Sequence, residues 1–254
     1  MKNHIYDLMF EMENSYWWYV ARRKIILEQI KKIHPIIKGR RPKILDYGCG
    51  TGNNLIHFQK FGQIFGMDAS EQAVDFCRQR GLKSVIQVNR AADIDILNPF
   101  GVSFDVITLL DVLEHAPDDV KMLKRITKLL NHGGIVFVTV PAFEPLWSGE
   151  DYVSAHIRRY KKSELIRVFH KAGIKVEMIS YFNTILFPCQ VANIYWDRLF
   201  NPKSMYETSI KKIPDSVNSL LSFFFSIEAH LLRVIRLPIG GSIMCWGRVD
   251  KDYY

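Results

Sequence analysis

A short glycine-rich stretch carries the first chemical signal in this chain. It reads Asp46-Tyr47-Gly48-Cys49-Gly50-Thr51-Gly52-Asn53 and follows an apolar run. Glycines between a strand and a helix let the backbone turn sharply and pass close to a ligand. A dinucleotide loop of the G-x-G-x-x-G type would have its third glycine at position 53, where this chain has asparagine. We therefore expect a different nucleoside to contact the loop residues Gly48, Cys49, Gly50, Gly52 and Asn53.

Asp46 limits which charges that ligand can carry. A carboxylate at the end of a strand repels a pyrophosphate and attracts a cation. A nucleoside that carries ammonium and sulfonium groups meets this requirement, and NAD does not. The loop thus favours a cationic cofactor without phosphate.

Further carboxylates follow the next two predicted strands. Asp68 comes about 20 positions after the loop begins, where an acidic residue can accept hydrogen bonds from a ribose diol, and Ala69 lies beside it. Asp93 follows the third strand and could accept from an adenine amino group. A single aspartate at such a position is most often a helix cap or a turn residue. Three of them at successive strand ends favour one shared site.

A second group of titratable residues follows the fourth predicted strand. It reads Leu110-Asp111-Val112-Leu113-Glu114-His115, and its first two residues are expected at the cofactor. His115 could remove a proton from a hydroxyl group, and Glu114 could orient a substrate hydroxyl or a neighbouring histidine. The competing interpretation of His115 is a residue at a helix terminus that packs beneath the cofactor.

A third group lies between residues 141 and 160, after the fifth predicted strand. Its aromatic, acidic, histidine and arginine residues suggest a lid over a substrate, since paired arginines can bind carboxylate or phosphate oxygens. The alternative is a solvated loop in which Arg158 or Arg159 pairs with Asp151. His156 is a second candidate base. The candidates for substrate contact here are Trp147, Arg158, Arg159 and Tyr160.

Short apolar runs alternate with helical segments through the chain and must position these groups. The predicted strands are Lys43–Tyr47, Gln63–Asp68, Lys83–Val88, Phe104–Leu110, Gly134–Val140, Lys175–Tyr181 and Ser242–Val249. Helices are expected at 70–80, with Ser70 as N-cap and Gly81 after its end, and at 118–130. This alternation predicts a parallel sheet with helices on both faces. Ligands of such sheets bind beyond the carboxyl ends of the strands, where all three groups lie.

Taken together, the motifs resemble those of class I S-adenosylmethionine-dependent methyltransferases. Ile44–Gly52 is similar to the first motif of that family, and Phe104–Ile107 with Asp111–His115 to its strand-four motif. Leu129–Gly134 is similar to the turn before strand five, with His132 in place of the usual proline. The resemblance covers about residues 40 to 182.

The resemblance implies a fold, a cofactor and residue roles. The fold is a three-layer α/β structure with a doubly wound, mostly parallel sheet of seven strands, the last one antiparallel. The cofactor is S-adenosyl-L-methionine, with Asp46 and the glycines at its methionine portion, Asp68 at the ribose and Asp93 at the adenine. Asn98-Pro99-Phe100 departs from the residues that the family usually has at the adenine pocket.

The remaining segments complete the expected organisation within one structural domain. Residues 1–39 are expected to form a helical cap over the cofactor, with Trp18 as a candidate for substrate contact, although their aromatic run could equally be part of the core. Residues 40–183 are expected to form the cofactor-binding core. Residues 184–238 are expected to form an apolar helical insertion, and residues 239–254 the last strand and tail. The stretches 13–23 and 146–160 also resemble a methyltransferase subgroup that accompanies polysaccharide, lipid or quinone biosynthesis.

The apolar segment 217–236 contains Leu220-Leu221-Ser222-Phe223-Phe224-Phe225 and then basic residues. The apolar run is about half the ~20 residues that a bilayer-spanning helix requires. Two interpretations remain. The segment packs on the sheet or on a second subunit in a homodimer, or it lies in a membrane interface and accepts a lipid-linked substrate.

Composition limits the class of protein. The chain has 254 residues, of which 48% are hydrophobic, enough to bury a large core. Four scattered cysteines without a CxxC pair predict neither disulfides nor a metal site. No secretory signal is recognised, so we expect a cytoplasmic protein, with contact to the inner face of the membrane as an option. The net charge of +8 reflects solubility alone, or an acidic substrate, a nucleic acid or an anionic membrane.

The main functional prediction is methyl transfer to an oxygen or nitrogen atom of a small-molecule, lipid-linked or saccharide acceptor. Methylation of RNA or another nucleic acid is disfavoured, because Asp111-Val112-Leu113 stands where amino-group nucleic-acid enzymes have an NPPY-like motif. A non-catalytic protein that binds the cofactor is a further alternative. An NAD-dependent oxidoreductase is disfavoured by Asp46 and Asn53.

Overall fold

A computed structural model describes residues 3–34, 41–88, 99–208 and 210–249, and the structural statements below refer to these ranges. The strands are β1 (Lys43–Tyr47), β2 (Gln63–Asp68), β3 (Val85–Gln87), β4 (Phe104–Leu110), β5 (Leu130–Pro141), β6 (Ile174–Phe182) and β7 (Ser242–Val249). The α-helices are α1 (Asn3–Met12), α2 (Trp17–Ile33), α3 (Asn53–Phe58), α4 (Glu71–Gln79), α5 (Asp119–Thr127), α6 (Gly149–Ser154), α7 (Lys162–Lys171), α8 (Phe187–Phe200) and α9 (Asp215–Leu231).

The seven strands form one sheet in the order β3-β2-β1-β4-β5-β7-β6. β1 to β5 pair in parallel, and β7 is antiparallel to both of its neighbours. The predicted fold class is therefore confirmed. The strand order reverses between β1 and β4, so the carboxyl ends of these two strands flank the crevice in which ligands of such sheets bind.

Helices cover both faces of the sheet, and β5 shows how one strand serves both layers. Val136 and Val138 pack in the core that contains residues of α5 and α7. Ile135 and Phe137 pack in the opposite core with α2 and α9. Because side chains alternate along a strand, a continuous apolar run is what a strand buried on both faces requires.

Local signals account for several helix ends. The Ser70 hydroxyl accepts a hydrogen bond from the Ala73 N–H at 3.3 Å, so the predicted N-cap of α4 is present. Gly81 adopts the left-handed conformation after that helix, with φ of 78°. Asp118 caps α5 in the same way, accepting from the Lys121 N–H at 2.8 Å.

Several predicted boundaries were wrong, and β3 is Val85–Gln87 rather than Lys83–Val88. The helix expected at 118–130 ends at Thr127, and β5 begins at Leu130 rather than at Gly134. Leu130 already pairs with Phe104 of β4, before an irregularity in the register that precedes the Val106–Ile135 pair. Residues at the start of β5, which the sequence predicted to lie in a helix and a turn, are thus paired in the sheet.

No helix in the described parts of the chain combines the length and apolar character needed to cross a membrane.

Helix α9 docks on α2 through Phe225, and this contact can be tested. Phe225 is fully buried, with its ring 6.0 Å from that of Trp17, whereas Phe223 is 63% exposed. We expect Phe225→Ala to lower the free energy of unfolding by about 3–5 kcal/mol, since it removes a buried aromatic side chain. Phe223→Ala should change it by less than about 0.5 kcal/mol. Urea unfolding measures both, and equal effects would contradict the described packing.

Candidate functional site

A cavity of about 1800 Å³ lies at the carboxyl ends of β1, β2 and β4. Pockets for one small ligand usually measure about 300–1,000 Å³, so this cavity has room for a cofactor and a second molecule. The predicted cofactor residues in its wall are Gly48, Cys49, Gly50, Asn53, Asp68, Ala69, Leu110 and Asp111. Asp93 lies outside the described residues, and its role stays a prediction.

Gly50 and Gly52 of the glycine loop face different surroundings. Gly50 has φ of 54° and lines the cavity, and a Cβ built there would meet no atom nearer than Met9 Sδ at 3.5 Å. Gly52, with φ of 82°, faces α4 instead, and a Cβ there would lie 2.6 Å from Leu82 Cδ1 and 2.7 Å from Cys77 Sγ. The cofactor contact predicted for Gly52 is therefore corrected: this glycine lets the loop pack against its neighbours.

Asp46 lies behind the cavity wall rather than in it. Its carboxylate is 1% exposed and accepts a hydrogen bond from the Thr108 hydroxyl at 2.5 Å. Burial raises the pKa of Asp46 to about 7, although Thr108 and Arg22 act in the opposite direction. The prediction that Asp46 contacts the cofactor directly is thus corrected: its carboxyl group lies beneath the glycine loop and acts through its charge.

Asp68 lines the cavity with both carboxylate oxygens engaged. One oxygen accepts from the Gly50 N–H at 2.8 Å and the other from the Ser70 N–H at 2.9 Å. The Tyr6 hydroxyl also donates to this carboxylate, and burial raises the pKa of Asp68. A ribose diol would have to share or replace the Tyr6 contact. Sequence reasoning missed Tyr6, because no spacing rule connects α1 with the end of β2.

Arg22 joins the N-terminal helices to the end of β4. Its guanidinium is buried and lies 2.7 Å from the Asp111 carboxylate, and it donates to the Thr139 hydroxyl at 2.6 Å. Thr139 in turn donates to Asp111 at 3.0 Å. Asp111 has φ of 58°, a left-handed conformation that aspartate tolerates better than most residues. Trp18 lines the cavity and packs over the guanidinium, with Arg22 Cζ 5.2 Å from the centre of the Trp18 ring.

His156 lies in the cavity wall and is oriented by Asp151. Burial alone would raise the pKa of Asp151, but hydrogen bonds from His156 and Arg159 outweigh it and hold that pKa well below its usual range. The ionised carboxylate accepts, so the Nδ1–H of His156 is the donor in their 2.8 Å hydrogen bond. In the neutral ring, Nε2 is then the acceptor.

Glu114 and His115 complete this end of the cavity. Glu114 is fully buried, and neither carboxyl oxygen has a hydrogen-bond partner among the described residues. Burial, with the Asp111 charge nearby, raises its pKa well above the usual value. Burial and His156 lower the pKa of His115 to about 4, so its ring is neutral at pH 7. His115 lies in a single 3₁₀ turn (113–115), and its Nδ1 donates to the Ala155 carbonyl at 3.3 Å.

Glu114, His115 and His156 also form a set that could hold a metal ion. Each offers one ligand atom, and these atoms lie within 4.8 Å of one another. Two imidazoles and a carboxylate suit a divalent transition metal. The sequence predicted no metal site, since the two histidines come from different elements and show no ligand spacing.

The segment 141–160 lines the cavity, and within it Arg159 pairs with Asp151 as the alternative interpretation expected. Arg159 binds both oxygens of Asp151, at 2.9 and 2.6 Å, and donates to the Ala142 carbonyl at 3.1 Å. Arg159 borders the cavity, but the pair of N–H donors that could bind a substrate carboxylate or phosphate already binds Asp151.

Three residues predicted to contact substrate lie outside the cavity wall, and their roles are corrected. Arg158 and the Tyr160 hydroxyl both bind Asp119, at 3.1 and 3.0 Å, which ties this segment to α5. Trp147 packs against Tyr152, with ring centres 6.0 Å apart. These side chains support the wall from behind.

Comparison with known proteins decides the family. The family model described as a methyltransferase domain matches residues 17–179. The chain belongs to this methyltransferase family. The resemblance to class I S-adenosylmethionine-dependent methyltransferases is thereby confirmed.

Curated relatives of this methyltransferase match part of their length. A ubiquinone biosynthesis O-methyltransferase of Coxiella burnetii is 32% identical over 128 residues, which is 48% of this chain and 55% of the relative. One of Xanthomonas oryzae is 29% identical over 154 residues, 54% of this chain and 64% of the relative. The chain thus spans less than two thirds of these relatives.

Solved structures share the fold of this methyltransferase. A SAM-dependent methyltransferase from Archaeoglobus fulgidus is 16% identical, with a TM-score of 0.55 over 89% of this chain and 94% of the other. A possible histamine N-methyltransferase from Thermotoga maritima is 15% identical, with a TM-score of 0.54 over 97% of this chain and the whole of the other. At these identities the likeness shows the fold alone.

Asp68 provides a direct test of the cofactor side of the cavity. We expect Asp68→Ala to weaken S-adenosylmethionine binding by about 1.5–3 kcal/mol, the usual value of hydrogen bonds to a charged acceptor. Isothermal titration calorimetry measures this. Glu177→Ala, which removes a carboxylate from β6 outside the cavity wall, is the matched control. An effect of Asp68→Ala below about 0.5 kcal/mol, a size that surface substitutions also reach, would reject the ribose role.

Proposed function

We propose that this methyltransferase transfers a methyl group from S-adenosylmethionine to an oxygen or nitrogen atom of a small-molecule, lipid-linked or saccharide acceptor. One observation carries the proposal. A single cavity connects the glycine loop and Asp68 at one end with Glu114, His115 and His156 at the other. A donor and an acceptor bound in that cavity would lie side by side.

The residues at the first end fit the cofactor. Gly50 leaves open space where any other residue would place a Cβ, and Asp68 presents a carboxylate at the wall. Asp46 adds negative charge beneath the loop, which favours a cationic ligand once that carboxyl is ionised. When bound, S-adenosylmethionine supplies a methyl carbon activated by the adjacent positive sulfur.

The residues at the second end suit an acceptor that must lose a proton. Asp151 holds Nδ1 of His156 protonated, which leaves Nε2 to accept a hydrogen bond from a hydroxyl group. The same carboxylate would stabilise the imidazolium that forms as the proton arrives, as in other Asp–His pairs. The names of the curated relatives, O-methyltransferases of ubiquinone biosynthesis, support an oxygen atom as the acceptor.

The remaining requirement is alignment and exclusion of water, which contributes as much to methyl transfer as a base does. The N-terminal helices close one side of the cavity with a run of aromatic residues. These wall residues are Tyr16, Trp17, Trp18 and Tyr19. Their presence in the wall of the same cavity supports a role as a cap.

Binding and transfer assays test the proposal. Isothermal titration should show binding of S-adenosylmethionine and S-adenosylhomocysteine and none of NADH. Radiolabelled S-adenosylmethionine should then label small-molecule or lipid fractions of a cell extract, and not RNA. NADH binding in place of S-adenosylmethionine would overturn the cofactor. Label in RNA would favour the nucleic-acid alternative, and binding without label in any fraction would favour a non-catalytic protein.

The base can be identified by matched histidine variants. We expect His156→Gln to lower kcat by about 10²–10⁴-fold, the usual contribution of general base catalysis, with the S-adenosylmethionine affinity unchanged. Asp151→Asn should lower kcat in the same direction, because the ring loses its orienting anion. His170→Gln on the exposed side of α7 is the control. Loss of kcat in His115→Gln alone would identify His115 as the base. Normal kcat in both histidine variants would mean that alignment of the donor and the acceptor suffices.

A further inference from the structure

Helix α8 has its polarity reversed with respect to an ordinary surface helix. Its polar residues Gln190, Asn193 and Asp197 line the cavity. Large apolar residues face outward, and Ile194 is the one residue of α8 that is buried. Those outward residues, 46 to 73% exposed, are Tyr195, Trp196, Leu199 and Phe200. A helix on a protein that meets only water normally turns its apolar face to the core.

Helix α9 also exposes large apolar side chains on its outer face. Its inner face packs on α2 through Phe225 and Ala229. Its outer face exposes large apolar side chains, which are Val217, Leu220, Phe223, Phe224 and Leu231. Val234 and Ile235, just beyond the helix, are 85 and 47% exposed.

The exposed apolar side chains are concentrated in one segment of the chain, the helical insertion between β6 and β7. Among the described residues, every exposed large hydrophobic side chain except Tyr152 and Ile157 lies between positions 195 and 239. Single exposed apolar residues are normal, but a concentrated patch marks a surface that meets another protein or a membrane. We call this set, carried by α8, α9 and residues 234–239, the apolar face.

Basic residues gather at the end of α9, beside the apolar face. Lys32 of α2 donates to the carbonyls of Leu232 and Arg233, at 2.9 and 2.7 Å. Lys24 donates to the Ser226 hydroxyl at 3.2 Å. Burial and the charges of Arg236 and Arg233 lower the pKa of Lys32, which reflects how closely these cations are grouped. Glu28 pairs with Arg233 and Lys31 and offsets part of this charge.

We propose that the apolar face, together with the basic group at the end of α9, docks on an anionic lipid bilayer. Aromatic side chains such as Trp196 and Phe223 suit the boundary between headgroups and acyl chains, and lysine and arginine beside them suit anionic headgroups.

This inference goes beyond the proposed methyl transfer and needs no assumption about the acceptor. The cavity nevertheless opens beside the docking surface, because α8 supplies its polar wall and α9 contributes Leu221 to the same cavity. Docking would place the cavity next to the headgroups of the bilayer.

Vesicle co-sedimentation of the full chain tests the inference. We expect binding to vesicles of phosphatidylcholine with phosphatidylglycerol, weaker binding to phosphatidylcholine alone, and a decrease with salt. Phe223→Ser/Phe224→Ser and Arg233→Gln/Arg236→Gln should each weaken binding to anionic vesicles by about tenfold. Lys121→Gln/Lys124→Gln removes the same charge from exposed positions of α5 on the opposite face and should leave binding unchanged.

Calorimetry with S-adenosylmethionine on each variant shows that the cofactor side is intact, so a failure of docking is distinct from a failure of the methyltransferase proposal. Absence of binding of the unmodified chain to anionic vesicles would overturn the inference, and so would equal losses in the α5 control. Light scattering gives the third outcome. A dimer that the Phe223→Ser/Phe224→Ser variant makes monomeric, without vesicle binding, would reassign the surface to self-association.

Discussion

The ion pair between buried Arg22 and half-buried Asp111 is the contact on which the arrangement of the site depends. It joins α2 to the end of β4, and Thr139 extends it to β5. Asp111 has a left-handed backbone conformation, and the turn that follows carries Glu114 and His115 to the cavity. A buried charge that loses its partner is strongly destabilising, so the buried guanidinium of Arg22 requires Asp111. The N-terminal helices are therefore part of the site.

On the other side of the cavity, the pKa values of two neighbouring carboxyl groups, Asp151 and Glu114, are shifted in opposite directions. Hydrogen bonds from His156 and Arg159 keep Asp151 ionised, whereas burial raises the pKa of Glu114, whose Oε1 lies 3.8 Å from His156 Nε2. Two carboxyl groups with well-separated pKa values can take different roles in one site. Here the ionised Asp151 orients His156, and the neutral ring of His115 lies beside it, with 4.8 Å between the two ring centres.

The predictable parts of the molecule are those encoded by neighbouring residues. β1, β2, β4 and β7 begin and end where their apolar runs do, and the glycine loop was found because its residues are adjacent in sequence. Tyr6 and Arg22 were missed because their partners lie far along the chain. Asp46 and Gly52 were placed in the wall because a motif gives the order of residues and not the direction of each side chain. The same limit explains Arg158 and Tyr160, whose partner Asp119 belongs to another element.

The chain between β6 and β7 explains why polar and apolar surfaces meet at the cavity. These strands are antiparallel neighbours, which a short turn can join, yet residues 183–241 intervene and include α8 and α9. The polar side chains of α8 complete the cavity wall, so the large apolar residues of this helix lie on the outer surface. One segment thus creates a polar chamber inside and an apolar face outside. A molecule with a polar reacting end and an apolar remainder would find a matching environment for each part, which links the proposed lipid-linked acceptor to the proposed docking surface.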